Sequence, residues 1–578
     1  MRKIFRNKYL AILIGAVMIA PVACDDSYLQ IPITGALTES QLVSQSGLEK
    51  LLLGVYANLN GRGDWHGGAT NWLWGSIRGG EANKGTNAGD FNSMNAVENY
   101  AVETTNSEVA SKWAKSYEGI SRANRLIALI PQVTDASDAV KARIEGEAKF
   151  LRGFYYFELK KTFSNAPYVD ETMDLATGAA QVPNNQDLWP MIEADFMKAW
   201  TSLPETQGDV GRVNKWAAGA YLAKAYLYQG KWADAKTLFT QVVAGGQTTN
   251  GLKYALTPSF SALFRLAGEN SAESVFAFQA TGGAKNTNNA NTEYAMAFPY
   301  NTLPGNCCGF FQPSFELASS YRVDAAGLPL YKDNSFRTGA NEIKNDEGVA
   351  SNAAFTPDAG LLDPRLDVTI GRRGIPFLDW GAHKGFDWIR DQTYAGPYSP
   401  KKYTYSSAES TSNDGSGWTP GYTAINFMMM RYSDVLLMLA EADIMTGDLE
   451  GGRALINQVR TRAANVAGWS KAADGVAYAA NYKVGTYDAA FADAADALKA
   501  LRFERKLELG MEGHRFFDVV RWGTADAELN AYIAYDGPKI PAHFIGVQFN
   551  VGKDELLPIP QHQIDLQTAA VLTQNPNY

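Results

Sequence analysis

Cysteine is scarce in this chain, with three in 578 residues, at positions 24, 307 and 308. Cys307 and Cys308 are neighbours, so they can close a vicinal disulfide or remain two thiols, but they cannot tie distant segments together. Stability must therefore come from packing. Histidine is also sparse, at five scattered residues with no HExxH pair, which argues against a catalytic metal site or metal cofactor. No GxSxG motif is present, so a serine hydrolase of that type has no support. There is no cluster of lysine and arginine, and the formal net charge is −9, which sets nucleic acid aside as a partner. After the N-terminus, no run of about 18 or more apolar residues occurs, so nothing else in the sequence is expected to span a bilayer.

What the chain has instead is apolar and aromatic surface. Hydrophobic residues make up 46% and aromatics 12%, enough to bury a large core and to exclude a disordered chain. The 53 glycines are costly inside helices and useful in irregular backbone, so the composition predicts a helical frame carrying long aromatic loops. At the N-terminus, Arg2, Lys3, Arg6 and Lys8 precede an apolar run over 9–20, the layout of a secretory signal rather than a spanning helix. Cys24 follows Ala23 at the expected cleavage point and resembles the acylated first residue of a bacterial lipobox, although Pro21 stands where leucine is usual. Residues 1–23 are read as a signal peptide, and losing its four cations takes the net charge from −9 to −13.

Helical periodicity is strong at both ends of the mature chain. Trp113, Tyr117, Ile120, Ala123, Ile127 and Ile130 recur at spacings of three and four, and Pro131 closes that helix. Ile144, Ala148, Leu151, Tyr155 and Leu159 repeat the pattern, with Glu145, Glu147, Lys149 and Arg152 interleaved as an exposed face would be. Residues 216–245 read as a helix-turn-helix unit in the tetratricopeptide style, turning at Gly230, and a similar pair recurs over 428–463 around Gly447 and Asp448. Between them, over 246–423, periodicity weakens while Gly, Asn, Pro and aromatics rise. That composition predicts short strands, short helices and ligand-facing loops. The expected fold class is mainly α, with a tetratricopeptide-like scaffold and an irregular loop-rich region. The expected division is 24–245 for anchor, ligand loop and N-terminal scaffold, 246–423 for the loop-rich binding region, and 424–578 for the C-terminal helical pair and tail.

Residues 501–523 read LRFERKLELGMEGHRFFDVVRWG, a charged helix running into an aromatic and basic segment. As plain chemistry this is a buried ion-pair network closing a helical domain. Its order of residues resembles the signature of the SusD/RagB family. The resemblance extends in family order through the lipobox, EAKFLRGFYYF from 147, the helical pair at 216–245, DPRL at 363–366, RYSDVLLMLAEA from 431, and the tail from LLPIP to QNPNY. Asn577, where glycine is common, and Gln567-Thr568, where Asn-Pro is usual, depart from the pattern. The resemblance implies a lipoprotein anchored through Cys24 to the outer membrane, with Asp25 and Asp26 similar to a surface-export signal. It implies a protein that binds an oligosaccharide or polysaccharide and delivers it to a TonB-dependent outer-membrane transporter without bond chemistry or cofactor. The same role for peptides or another nutrient, or a structural adaptor, are the alternatives.

A sugar offers one apolar C–H face and a rim of hydroxyls, so its binder needs flat aromatics ringed by amide, carboxylate or guanidinium groups. Residues 61–92 hold that mixture in one run, with Trp65, Trp72, Trp74, Arg78, Glu81 and Asn83 as candidates. The alternative is a small loop core in which Trp72 and Trp74 pack inward and Arg78 pairs with Glu81. Tyr294 and Tyr300 in the loop 286–311, and Trp380 and Trp388 in the segment 377–388, complete the candidate set. Glycoside hydrolysis would need two carboxylates at a set separation, and nothing among the 61 acidic residues singles out such a pair.

Overall fold

The computed structural model describes residues 39–63, 65–173, 181–283, 287–301, 307–415, 419, 421–568 and 570–578. Residues 1–23, read above as a signal peptide, and Cys24 lie outside them. The scaffold begins with helix α1 (Gln45–Tyr56), whose Ser44 cap accepts the Gly47 amide, and α2 (Ser107–Leu129), capped by the Asn106 side chain. Helix α3 (Asp138–Phe163) follows, with Ser137 capping its start, Asp138 in its first turn, and Lys160 and Lys161 in its last, so both ends complement the helix dipole. Helices α4 (Trp189–Ser202), α5 (Lys215–Tyr228) and α6 (Trp232–Gly245) then stack in sequence on α3.

The predicted apolar faces of α2 and α3 are buried, from Trp113 to Ile130 apart from the half-buried Tyr117, and from Ile144 to Leu159. The charged face expected on α3 is not exposed throughout: Glu147 and Arg152 are buried. Arg152 makes a two-pronged contact with Asp195 of α4, at 2.7 and 2.8 Å, and donates to Asn124 of α2 at 2.8 Å. Glu147 accepts the Tyr56 hydroxyl of α1 at 2.7 Å. Because α3 is covered by neighbours on several sides, its polar residues became inter-helix ties, which single-helix periodicity does not register. The α5–α6 turn places Gly230 at φ 71°, and on α5 a Cβ at Gly219 would stand 2.6 Å from the Trp200 ring, so the small residue sets how closely α4 and α5 approach.

The C-terminal pair is α7 (Tyr432–Met445) and α8 (Leu449–Ala463), with Asp448 capping α8 through the Gly451 amide. Helix α7 packs on α6 as well as on α8 and α9 (Ala494–Leu509), so the two helical ends of the chain form one continuous scaffold. Helices α10 (Arg515–Arg521) and α11 (Ala525–Asp536) follow.

Under α7 to α9 lies the ion network anticipated from residues 501–523. Arg365 bridges Glu504 at 2.6 Å and Glu508 at 2.9 Å, and Arg460 holds Glu504 at 2.7 Å. Arg431 reaches Glu273, Glu508 and Glu512, and Lys402 meets Glu512 at 2.8 Å. All of these side chains are buried. Basic residues from separated segments converge on α9 and the turn after it, so the network ties the loop-rich region to the scaffold.

Among the described residues, three two-stranded antiparallel sheets join the irregular region to its flanks: β1 (Ala82–Gly85) with β3 (Phe310–Pro313), β2 (Ser274–Phe278) with β6 (Phe427–Arg431), and β4 (Ile370–Gly371) with β5 (Ser399–Pro400). The β1–β3 ladder pairs Asn83 with Gln312 and Gly85 with Phe310. That register brings the loop before residue 92 against the loop before 313, more than 200 residues away in the chain.

Candidate functional site

The aromatic run after residue 61 folds inward rather than outward. Residues Trp72–Ile77 form a short π-helix, and Trp72 and Trp74 are each 1% exposed. The Trp72 indole N–H donates to the Trp65 carbonyl at 2.8 Å, and that of Trp74 to the His66 carbonyl at 2.7 Å. The segment lies against the stretch before α10: a Cβ at Gly75 would collide with the Gly513 carbonyl, and Ser76 Oγ accepts the Gly513 amide at 2.9 Å. Arg78 and Glu81 do not pair with each other. Arg78 donates to the Asp554 and Leu556 carbonyls at 2.6 and 2.9 Å and lies 4.4 Å over the Phe516 ring. Glu81 accepts the Met511 amide at 3.1 Å, and burial pushes its carboxyl up to about 7.

Asn83 is buried between Tyr532 and the Ala395 carbonyl, and Tyr294 is buried with its hydroxyl on the Met511 carbonyl at 3.2 Å. Trp388, also 1% exposed, packs edge-on against Phe377 and His383. As ligand contacts, Trp72, Trp74, Arg78, Glu81, Asn83, Tyr294 and Trp388 are therefore corrected: they hold the loops to the scaffold. The physical reason is that the indoles of Trp72 and Trp74, the Asn83 amide, the Tyr294 hydroxyl, the Glu81 carboxyl and Arg78 Nη2 find partners inside, which offsets the cost of burying them.

Trp65, Tyr300 and Trp380 remain partly exposed. Trp65 meets Phe91 edge-on at 5.2 Å, and Phe91 meets Phe310 of β3 at 5.7 Å. Tyr300 lies beneath the Arg390 guanidinium at 5.5 Å, and its amide donates to the Trp388 carbonyl at 2.8 Å. Arg390 in turn donates to Asp90 at 2.6 Å and Thr86 at 2.7 Å. The Thr86 amide donates to the Gly309 carbonyl at 2.6 Å, so the β1–β3 ladder draws the two ring groups to neighbouring positions. Cys307 and Cys308 are joined as a disulfide just before Gly309, in the same loop. Trp380 stands apart from this group, its indole N–H on the Tyr405 carbonyl at 3.0 Å.

Thr86 and Phe91 both adopt left-handed backbone, at φ 54° and 47°. For a β-branched and a bulky residue this costs of order 1–3 kcal/mol each, a strain that other contacts must hold in place. Lys84 supplies part of that support from below, donating to the Asn87 and Asp90 carbonyls at 2.9 and 2.6 Å. Burial lowers the Lys84 ammonium to about 8.

The start of the loop is held by Glu293, which accepts the Gly68 and Thr70 amides at 3.0 and 2.9 Å, and by Lys112 of α2, which donates to the Gly68 carbonyl at 3.0 Å. Burial pushes the Glu293 carboxyl up to about 7. An acid raised above its unfolded value favours the fold while protonated, so its contribution is full at low pH and is lost as pH rises through about 7. Urea unfolding midpoints measured from pH 5 to 7.5 are expected to fall more steeply for the native chain than for Glu293→Gln. Equal slopes would remove Glu293 from that role.

Arg390, Thr86 and Phe91 were not singled out by the sequence. A bare Arg-Asp pair separated by 300 residues carries no local signal, and only the β1–β3 pairing makes it one surface.

Among the described residues, no group of three or more His, Cys, Asp or Glu is arranged to hold a metal ion, and no helix is long and apolar enough to cross a membrane.

Residues 272–578 match the family model described as the SusD family, and residues 40–227 match one described as starch-binding associating with outer membrane. The chain belongs to the SusD family. SusD-like proteins are carbohydrate-binding proteins rather than enzymes. A SusD-like protein P2 of Formosa agariphila is 24% identical over 566 residues, covering 96% of this chain and 97% of that protein. Among solved structures, a SusD superfamily protein from Bacteroides vulgatus superposes with a TM-score of 0.67 at 22% identity, over 92% of this chain and 99% of that one. Surface glycan-binding protein A from Bacteroides thetaiotaomicron, in complex with laminarihexaose, superposes at 0.61 with 19% identity, over 93% and 100%. The mainly helical fold with few short strands is the one these SusD-like structures share.

Proposed function

We propose that this chain is a surface lipoprotein that captures an oligosaccharide on the face formed by Trp65, Phe91, Tyr300, Arg390 and Asp90 and passes it to a TonB-dependent outer-membrane transporter. The observation that carries the reading is the pairing of partly exposed rings with a charged, hydrogen-bonding rim, held on strained backbone by a ladder that joins two distant loops. Flat rings meet the C–H face of a pyranose, while the guanidinium and carboxylate address its hydroxyls. The lipid anchor at Cys24, exposure on the cell exterior and the transporter partner belong to the same proposal. They are supported by the N-terminal sequence and by a family description that places members at the outer membrane.

Laminarihexaose, the ligand in one structurally similar protein, is the first probe. Isothermal titration is expected to give binding to laminarihexaose or another soluble glycan in a panel, and Tyr300→Ala is expected to weaken it about tenfold through loss of one stacking surface. Silence across the panel would sink the proposal. Displacement by a protein digest instead would reassign the surface to peptides.

A further inference from the structure

A cleft of ≈530 Å³ opens between the turn at Ser261–Phe264 with Arg265, the hairpin at 376–382 and the loop 470–475, and its walls share no residue with the Trp65–Tyr300 surface. Its size falls in the range of small-ligand sites, which run from roughly 300 to 1,000 Å³. Val368, Leu378 and Ala382 give it apolar walls, and Arg265, Lys401 and Lys471 line it with three cations in a chain whose overall charge is negative; Lys471 is turned onto the Val476 carbonyl and the Tyr478 ring.

The chemistry of Arg265 is specific. Its Nη1 donates to the Thr404 carbonyl and lies 3.4 Å from Glu409, while its Nε–Nη2 edge has no acceptor among the described residues. That same edge is where carboxylates dock on other arginines of this protein, among them Asp363 on Arg365, Asp367 on Arg372, and Glu512 on Arg431. A planar carboxylate matches such a fork in two parallel hydrogen bonds.

Lys401 stands on the same cleft with Nζ donating to the Asp367 and Pro376 carbonyls at 2.6 and 2.8 Å, which leaves one of its three N–H groups. The acidic residues of the walls are already engaged. Asp379 accepts the Ser407 and Ala408 amides at 2.6 and 3.0 Å, and Asp367 is held by Arg372 and by the Tyr482 hydroxyl. Burial lowers Arg265 to about 10 and Lys401 to about 8, and the Arg265 charge adds to the lowering of Lys401. Beside its ion pair with Glu409, Arg265 therefore turns an open Nε–Nη2 edge to one apolar cleft, and Lys401 adds a remaining N–H, an arrangement that an anion completes.

We propose that this cleft is a second ligand site, which takes the carboxylate of a uronic acid residue in a saccharide. The carboxylate seats on the Nε–Nη2 edge of Arg265 with Lys401 as the second cation, and the sugar C–H face lies along Leu378 and Ala382. The choice of a saccharide rests on the glycan-capture reading above; the choice of a carboxylate rests on the cleft.

The experiment is isothermal titration of the full mature chain with trigalacturonic acid and with its methyl ester. The native chain is expected to bind the acid at least about tenfold more tightly than the ester, the factor appropriate to a charge-assisted pair. Arg265→Gln is expected to lose a similar factor for the acid. Because Arg265 also holds the Thr404 carbonyl, a second variant, Ala473→Trp, fills the exposed rim of the cleft without touching that bond and is expected to lose the acid as well. The assignment is overturned if the native chain ignores trigalacturonic acid, if acid and ester bind equally, or if both variants bind as the native chain does. The neutral glycan panel, laminarihexaose included, titrated in parallel into Ala473→Trp and the native chain reports on the Trp65–Tyr300 surface, so silence across that panel counts against the glycan-capture face, whereas trigalacturonic acid against its ester decides the cleft.

Discussion

Glu508→Ala is expected to destabilise the protein by about 3–5 kcal/mol, the cost of breaking a buried ion pair by removing one member. Glu508 sits where three arginines meet: Arg365 at 2.9 Å, with Arg431 and Arg462 on its other oxygen. All four side chains are buried. Truncation removes the counter-charge that three buried guanidinium groups share, leaving them only their remaining carboxylates. Burial by itself would raise the Glu508 carboxyl, but Arg462, Arg431 and Arg365 hold it well below the ordinary range. A depressed acid contributes stability that is present above its unfolded value, near pH 4.3, and is lost as pH falls. Urea unfolding at pH 7 measures the first effect, and a shallower acid limb in Glu508→Gln measures the second. A loss below about 1 kcal/mol for Glu508→Ala would mean that the network is far better hydrated than its geometry indicates.

The second large effect separates two tryptophans seven residues apart. Trp72→Ala is expected to cost about 3–5 kcal/mol of folding stability, as for other large-to-small changes at a fully buried aromatic. Trp65→Ala is expected to leave stability within about 1 kcal/mol and to weaken glycan binding about tenfold or more, since it removes an exposed stacking face. The checks are thermal unfolding and isothermal titration on the same two variants. The reverse pattern, with Trp65 needed for the fold and Trp72 for the ligand, would overturn the placement of the binding surface.

In the sequence, the tryptophans at 65, 72 and 74 look equivalent: they share a glycine-rich run without helical spacing, and three within ten residues look too many to bury. They are sorted by partners that the local sequence does not name: Gly513 against Gly75, Phe516 beneath Arg78, and the carbonyls of Asp554 and Leu556, all more than 430 residues away. The charged residues of α3 mislead in the same manner. Glu147 and Arg152 match an exposed face by spacing, yet they meet Tyr56 and Asp195 inside the scaffold.

Helical periodicity, the turns at Gly230 and Gly447 and the charged order of residues 501–523 are local quantities, set by spacing along one chain and by side-chain chemistry within a few turns. They were sufficient by themselves for a mainly helical scaffold, its paired helices and a buried ionic closure. Which aromatics face solvent depends on contacts between segments separated by hundreds of residues, because a ring is buried only if another part of the chain arrives to cover it. The pairing of Gly85 with Phe310, the salt link of Arg390 to Asp90 and the open edge of Arg265 exist only after that long-range packing is complete.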